Sequence, residues 1–278
     1  MNAPEISHLA DLVRRRSGIK LADSKAEQIS RRLARVARVF GFKDGATLLA
    51  ELAHPHEELA SAVTEAMTTQ DTWFFRDPEV FDFLDAAFLP GLITDRAMKM
   101  RLRLWSAGCA TGQEAYSVAM ILAEQTLAAN GWAVELLATD ISGEAVARAK
   151  AGLYTDHEMS RGLPAARKLR HFYRDGEGWR VRERLRRSIT FRTFNLLDDF
   201  GWLGEMDVIL CRNVLMYFDA RARSAVLRKI FDALAVDGVL IVGAQEASLG
   251  PAFVPMSGLR GVFTKAQAEA LHAMQAVG

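Results

Sequence analysis

From residue 101 onward, short apolar runs alternate with amphipathic segments, and this alternation restricts the fold more than any other feature. Strands are predicted over 101–106, 135–140, 189–194, 207–212 and 238–243, and helices over 113–129, 143–150 and 220–235. Such alternation predicts a mostly parallel sheet with helices on both faces. The run 207–212 is apolar at nearly every position, which is typical of a central parallel strand.

A glycine turn, Gly108–Gly112, follows the first of these strands and precedes a helix. Glycines let the backbone approach a ligand closely at a helix N-terminus. The G-x-x-x-G spacing differs from the dinucleotide fingerprint, and no G-K-[ST] of a phosphate loop follows. The turn has no basic residue, and Glu114 would repel a pyrophosphate. The turn therefore favours a neutral or cationic nucleoside.

Polar residues follow several of the predicted strands. Asp140 ends the second strand, where an acidic residue commonly binds the ribose hydroxyls, and Ser142 is available to cap the next helix. Two further strands end in Asn195-Leu196 and Arg212-Asn213. Because the carboxyl ends of parallel strands meet at one edge, these residues are expected to converge there. The ligand that suits them best is S-adenosylmethionine, which has a ribose and a sulfonium but no phosphate.

The pattern of residues 1–67 predicts helices, and Ser24–Gly41 gives the clearest helical pattern. Ser24 and Glu27 form a capping box, and Gly41 marks the C-terminal end. The apolar residues of this helix share one face: Ile29, Leu33, Val36 and Phe40. Arg31, Arg35 and Arg38 lie on the opposite face. A later helix is predicted to begin at Asp77-Pro78, with Asp77 as its N-cap.

Residues 152–188 do not fit the alternation and predict a small, mostly antiparallel insertion. Four arginines occupy every second position, which in a strand would place them on one face; they are Arg180, Arg182, Arg184 and Arg186. Residues 14–43 carry ten Lys/Arg against two acids, and 150–187 carry eleven against five, although the whole chain has a net charge of +1. This segregation predicts an anionic partner at two patches.

Five sequence motifs together are typical of a known family. They are TTQDTWFFRDP at 68–78, WSAGCATGQEAYS at 105–117, ATDIS at 138–142, FNLL at 194–197 and CRNVLMYF at 211–218. On these motifs the chain resembles the CheR-type chemotaxis-receptor glutamate O-methyltransferases over nearly its whole length. The resemblance implies an all-helical N-terminal domain, 1–75, and a Rossmann-like methyltransferase domain, 76–278, with an inserted antiparallel β-subdomain at about 152–188.

The resemblance also implies roles for individual residues. Beside Gly108 of the turn, it places cofactor contacts at Gln70, Thr72, Arg76, Glu114, Asp140, Asn195, Leu196, Arg212 and Asn213. Gln70 departs from the asparagine usual in the family. Arg76 is expected to orient the reacting groups, and Tyr217 to donate a hydrogen bond to the acceptor carboxylate. Phe74 and Phe75 are expected to pack in the core.

The implied reaction is methyl transfer from S-adenosylmethionine to glutamate side chains in the cytoplasmic domains of methyl-accepting chemotaxis receptors, leaving S-adenosylhomocysteine. The arginines of the helix are expected to contact acidic receptor helices, and those of the insertion are expected to contact the same helices or another anionic surface. The short connection 174–180 predicts that no receptor C-terminal pentapeptide is needed. No metal, nucleic acid or membrane insertion is expected. A cytoplasmic location is expected, since two cysteines build no disulfide framework and no apolar signal or span is visible.

Two other functions use some of the same features. A nucleic-acid methyltransferase would share the cofactor and use the basic residues for phosphates. However, the strand end CRNVLMYF lacks the Asn/Asp-Pro-Pro motif of amino-methylating enzymes, and the basic helix lacks interleaved aromatics. A non-enzymatic receptor-binding module would tolerate loss of the ligand-facing polar residues, and these are present.

Overall fold

The computed structural model describes residues 3–21, 26–52, 56–246 and 248–266. The chain divides into two units. The first unit contains Met1–Thr69, Asn195–Asp198 and Leu215–Val226, and the second contains Gln70–Phe194, Asp199–Val214 and Leu227–Gly278. These units group residues by contact, so the predicted domain boundary after residue 75 stays a prediction. No helix in the described part of the chain is long and apolar enough to cross a membrane.

Four helices form the described part of residues 1–67, which confirms the predicted helical character of this segment. They are α1 (Ala3–Ser17), α2 (Ala26–Val39), α3 (Gly45–Glu51) and α4 (Glu57–Ala66). Their shared core includes the fully buried Leu9, Val13, Leu33, Leu48, Leu59 and Val63. The side chain of Asp44 caps α3 by accepting a hydrogen bond from the Thr47 amide at 2.8 Å.

The α2 helix confirms the predicted separation of faces. Its apolar positions Ile29, Leu33 and Val36 are buried and Phe40 is half-buried, whereas Arg31, Arg35 and Arg38 are exposed. Gly41 ends the helix with φ +75°, and the Phe42 amide then donates to the Ala37 carbonyl at 2.8 Å. This bond is typical of a glycine-terminated helix. The predicted cap Ser24 lies outside the described residues.

The second unit begins with a helical stretch that changes its hydrogen-bonding pattern. Helix α5 (Pro78–Phe83) continues through a π-helical turn, Leu84–Phe88, into α6 (Leu89–Asp95). Asp77 is the N-cap residue of α5 and Pro78 lies in its first turn, as predicted, but the Asp77 side chain makes no capping hydrogen bond. Its backbone is left-handed, with φ +57°, and its carboxylate binds Arg212 instead.

A seven-stranded sheet forms the centre of the second unit. Its parallel strands are β1 (Arg101–Ala107), β2 (Ala133–Asp140), β6 (Ile189–Thr193), β7 (Met206–Cys211) and β8 (Leu234–Val242), which confirms the predicted parallel sheet. The antiparallel strands β9 (Phe253–Pro255) and β10 (Val262–Lys265), which were not predicted, extend one edge. The order β6-β2-β1-β7-β8-β10-β9 reverses direction between β1 and β7. Ligands commonly bind at such a switch point.

Helices α7 (Gln113–Glu124), α8 (Gly143–Ala151) and α12 (Ala220–Ala233) connect the parallel strands. Helix α7 ends before the predicted residue 129, and Ala128–Asn130 form a separate 3-10 turn. The central strands carry the core, because all six residues of β7 are buried.

The predicted antiparallel insertion is confirmed. It contains β3 (Leu153–Tyr154), β4 (Phe172–Asp175) and β5 (Gly178–Val181), in the order β3-β5-β4, with helices α9 (Asp156–Ser160), α10 (Ala165–His171) and α11 (Glu183–Arg187). Residues 176 and 177 alone connect β4 to β5, with Gly176 at φ +59°. This two-residue turn agrees with the predicted tight hairpin.

The prediction that four alternating arginines share a strand face is wrong. Arg180 lies in β5, Arg182 follows the strand, and Arg184 and Arg186 belong to α11. The strand ends at Val181 and a helical turn follows, in which Leu185 is buried, at 4% exposed. At about 100° per residue, Arg184 and Arg186 point in nearly opposite directions.

Candidate functional site

The backbone amides of the glycine turn are already hydrogen-bonded within the protein. The amides of Gly108 and Cys109 both donate to the Thr139 carbonyl at 2.8 Å. The Ala110 amide donates to the Asp140 carboxylate, also at 2.8 Å. These three donors are therefore not available to bind a phosphate.

Both glycines of the turn are needed by their geometry. Gly108 has φ +80°, and a Cβ there would lie 2.5 Å from Cγ2 of Val214. Gly112 has φ +95°, and a Cβ there would lie 2.8 Å from the Ala149 Cβ. At these two positions the backbone packs so closely against neighbouring side chains that only glycine fits.

Asp140 ends β2 as a buried, oriented carboxylate. It is 8% exposed and accepts the amide hydrogens of Ala110, at 2.8 Å, and Ser142, at 2.9 Å. Ser142 caps α8 by accepting from the Ala145 amide at 3.1 Å, as predicted. A carboxylate has about four acceptor positions, so it can take these two bonds and a ligand hydroxyl as well.

A buried ionic network brings together two predicted site residues, Glu114 and Arg212. The Arg212 side chain is 2% exposed and donates to the Glu114 carboxylate at 3.1 Å. It also donates to the Asp77 carboxylate and to the Arg76 carbonyl, both at 2.6 Å. The Ser106 hydroxyl donates to the other Glu114 oxygen at 2.7 Å. The two predicted cofactor contacts therefore bind each other.

Arg76 lies between two residues with strained backbones. Phe75 and Asp77 have φ +49° and φ +57°, a left-handed conformation that is rare without glycine. The Phe75 amide donates to the Ser117 hydroxyl at 3.0 Å, and Asp77 binds Arg212. Side chains from two other elements thus hold the backbone on either side of Arg76.

The Arg76 side chain lies against an aromatic ring. Its Cζ is 4.3 Å from the centre of the Trp73 ring, and its Nη1 donates to the Asp71 carbonyl at 3.0 Å. The predicted core role of Phe74 and Phe75 is confirmed, since they are 0% and 5% exposed. Gln70 and Thr72, the other predicted contacts in this segment, are half-buried.

Asn213, the last predicted contact of the second unit, also has a left-handed backbone, at φ +58°. Its amide donates to the Glu246 carboxylate at 2.7 Å, and the Gly243 amide donates to the same oxygen at 2.8 Å. Glu246 is 2% exposed and orders the segments that follow β7 and β8.

Three predicted site residues belong to the first unit. Asn195 donates from its side chain to the Arg16 carbonyl at 2.6 Å and accepts from the Leu197 amide at 3.0 Å. Leu196 is 7% exposed. The Tyr217 carbonyl accepts from the Lys20 amide at 2.7 Å. Their roles toward cofactor and substrate stay predictions.

Both cysteines are held as neutral thiols. Burial, followed by the nearby charges of Asp140 and Glu114, raises the pKa of Cys109 well above its usual range. Burial also raises the pKa of Cys211. Neither group is thus a thiolate nucleophile at neutral pH. In the part of the chain that the structure describes, no three His, Cys, Asp or Glu side chains group as a metal site.

Several residues that shape the site were missed from the sequence. The sequence motifs do not indicate the roles of Ser106, Ser117 and Glu246, or the ion pair that Asp77 makes with Arg212. Their partners are distant in sequence: Glu114 lies 8 positions from Ser106, Asn213 lies 33 from Glu246, Phe75 lies 42 from Ser117 and Arg212 lies 135 from Asp77. The one local signal was Ser106, which is buried at a strand end before the turn.

Comparison with known proteins agrees with this geometry. A family model described as the CheR methyltransferase SAM-binding domain matches residues 70–252, and one described as the CheR methyltransferase all-alpha domain matches residues 4–68. The chemotaxis protein methyltransferase Cher2 of Pseudomonas putida is 37% identical over 84% of this chain and 86% of its own. Chemotaxis protein methyltransferase 1 of Pseudomonas aeruginosa is 38% identical over 83% and 85%.

Proposed function

Because this chain belongs to the CheR methyltransferase family and is an S-adenosylmethionine-dependent protein methyltransferase, we propose that it methylates glutamate side chains of chemoreceptor cytoplasmic domains. The product is a glutamate methyl ester, formed in chemotaxis adaptation. One observation supports the methyl donor most directly: Asp140 is fixed beside a glycine turn whose Gly108, Cys109 and Ala110 amides are hydrogen-bonded within the protein.

The residues around the turn suit S-adenosylmethionine. Asp140 is placed to accept ribose hydroxyls, and the turn offers close backbone without a phosphate site. In the second unit the other proposed contacts are Gln70, Thr72, Arg76, Gly108, Glu114, Arg212 and Asn213. Asn195 and Leu196 of the first unit stay predicted contacts. The predicted independence of a metal and the cytoplasmic location are part of this proposal.

The chemistry asks little of the protein in proton transfer. When bound, S-adenosylmethionine supplies a methyl group on a positively charged sulfur. A glutamate acceptor is already ionised at pH 7, so the chain needs no general base. Its residues must align the acceptor and exclude water. We assign the orienting role to Arg76, and a hydrogen bond to the acceptor carboxylate to Tyr217.

The test is incorporation of radiolabelled methyl groups from S-adenosylmethionine. A purified chemoreceptor cytoplasmic fragment, bulk tRNA and duplex DNA serve as parallel acceptors. We expect label on the receptor fragment alone, released by mild alkali as an ester. Label on nucleic acid would favour a nucleic-acid methyltransferase, and label on none of the three would favour a binding module.

Replacing Asp140 by alanine is expected to weaken S-adenosylmethionine binding by about 1–3 kcal/mol, the cost of leaving polar partners unsatisfied. Isothermal titration calorimetry measures the change. Glu144→Ala, which removes an exposed carboxylate from the first turn of α8, is the matched control. Equal affinities for the Asp140 variant and the parent would exclude Asp140 from the site.

The exposed arginine face of α2 is proposed to dock on acidic receptor helices. Reversing Arg31, Arg35 and Arg38 to glutamate is expected to lower kcat/KM for the receptor fragment about tenfold or more at low salt. The salt dependence of kcat/KM should weaken with it. A triple reversal of three exposed arginines outside α2, at Arg221, Arg228 and Arg260, changes the net charge equally and serves as the control. An equal loss in both triple variants would show that only net charge matters.

The insertion is proposed not to bind a receptor C-terminal pentapeptide. Such binding would add the peptide as a strand to the edge of the small sheet. Here two residues connect β4 and β5, which leaves little loop to form a pocket wall. Calorimetric titration with the pentapeptide is expected to give no saturable heat. A micromolar Kd would overturn the prediction.

A further inference from the structure

Two positive charges lie over one aromatic ring in the second unit. The Cζ atoms of Arg76 and Arg161 are 4.3 and 4.4 Å from the centre of the Trp73 ring. Arg161 comes from the insertion, directly after α9, and is exposed. Trp73 is half-buried. The insertion therefore adds a second guanidinium beside the one proposed to orient the reacting groups.

Gly162 fixes where Arg161 stands. Its backbone is left-handed, at φ +74°, and a Cβ there would lie 2.0 Å from the Phe74 carbonyl oxygen and 3.1 Å from Cδ1 of Trp73. The backbone after Arg161 thus lies directly on the backbone after Trp73. This backbone contact fixes the position of the Arg161 main chain. The contact with the Trp73 ring then orients the Arg161 side chain.

Arg76 and Arg161 differ from three arginines of the insertion that form ion pairs. Arg167, Arg174 and Arg180 each pair with a carboxylate of the same unit. Within the described ranges, no Asp or Glu lies within ion-pair distance of the other two guanidiniums. Both guanidiniums are positively charged and adjoin one ring, and a bound anion relieves the repulsion between them. The ring faces order the guanidiniums and leave their N–H edges to donate.

We propose that Arg161 is a specificity-determining residue that binds a carboxylate of the acceptor protein, together with Arg76 on the same Trp73 ring. This inference rests on the proposed function, because it takes the acceptor to be an acidic protein segment. A planar guanidinium donates two parallel hydrogen bonds to a carboxylate, which an uncharged or basic segment does not offer. The inserted subdomain thereby takes part in choosing the acceptor.

The test is steady-state methylation of the receptor cytoplasmic fragment by Arg161→Gln, which removes the charge and keeps a planar amide. We expect KM for the fragment to rise about tenfold, as for a lost charge-assisted contact, with kcat within about twofold of the parent. KM for S-adenosylmethionine and the unfolding midpoint should not change. Arg161→Lys should restore part of the loss, since it keeps the charge without the fork.

Arg170→Ala is the matched control, because it removes another exposed arginine from the insertion, at the end of α10. Its KM should stay within about twofold of the parent, the scale expected for an exposed charge. An unchanged KM in Arg161→Gln, or an equal rise in Arg170→Ala, would overturn the inference. So would a loss in kcat alone, which would indicate that Arg161 only supports Trp73. Failure of the parent to label the fragment would instead overturn the proposed function.

Discussion

Arg212→Met will destabilise the protein by about 3–5 kcal/mol, because removing one partner of a buried ion pair leaves the other charge uncompensated. The stranded group is Glu114, whose side chain is 11% exposed and otherwise bound to the Ser106 hydroxyl. Asp77 loses its cation as well. Urea unfolding at neutral pH measures the free energy of unfolding.

Two further variants identify the cause of that loss. Adding Glu114→Gln to Arg212→Met removes the stranded charge, so the double variant should be more stable than the sum of the single losses predicts. Arg101→Met breaks an exposed pair with Glu135, at 2.7 Å, and should cost less than about 1 kcal/mol. If Arg212→Met costs no more than Arg101→Met, the network does not stabilise this unit.

The second large effect is expected at Gly162. Alanine there adds the strain of a left-handed backbone, about 1–2 kcal/mol, to a clash with the Phe74 carbonyl, which has to be relieved by moving backbone. With overpacking of about 1–3 kcal/mol, we expect a total loss of about 2–5 kcal/mol. Urea unfolding again measures it.

Gly176→Ala is the natural comparison for this variant. Gly176 also has a left-handed backbone, at φ +59°, but nothing lies within 4 Å of the position that its Cβ would take. Gly176→Ala should therefore lower the free energy of unfolding only by the backbone strain, about 1–2 kcal/mol. Equal losses at the two glycines would mean that the close approach of Gly162 to Phe74 adds no strain.

Much of the fold could be predicted because its signals are local. Alternating apolar runs and the glycine turn predict the parallel strands, and the spacing of Ile29, Leu33 and Val36 predicts the buried face of α2. The prediction that the alternating arginines share a strand face was wrong, because residues two apart share a face only where the backbone is extended. Burial of Val181 and Leu185, four residues apart, favours a strand end followed by a helical turn.

The sequence predicted which residues belong to the candidate site, but not which residues they bind. The motifs include Glu114, Asp140 and Arg212, yet the bonds of these residues join positions between 2 and 136 residues apart. A motif indicates which side chains are present, whereas the fold decides which of them meet. Asp77, for example, is the N-cap residue of its own helix, as its position predicts, yet its carboxylate binds Arg212 at the end of a central strand.

The left-handed Phe75 and Asp77 have a consequence for engineering this protein. Strained residues of this kind cost about 1–3 kcal/mol each, and a selection for heat resistance favours substitutions that release such strain. Glycine at position 77 would accept φ +57° without penalty, but it would also remove the carboxylate that holds Arg212. Loss of that buried ion pair is expected to offset the relief of strain, so variants at Asp77 should be screened for turnover as well as for Tm, because they alter the backbone beside Arg76, the residue proposed to orient the reacting groups.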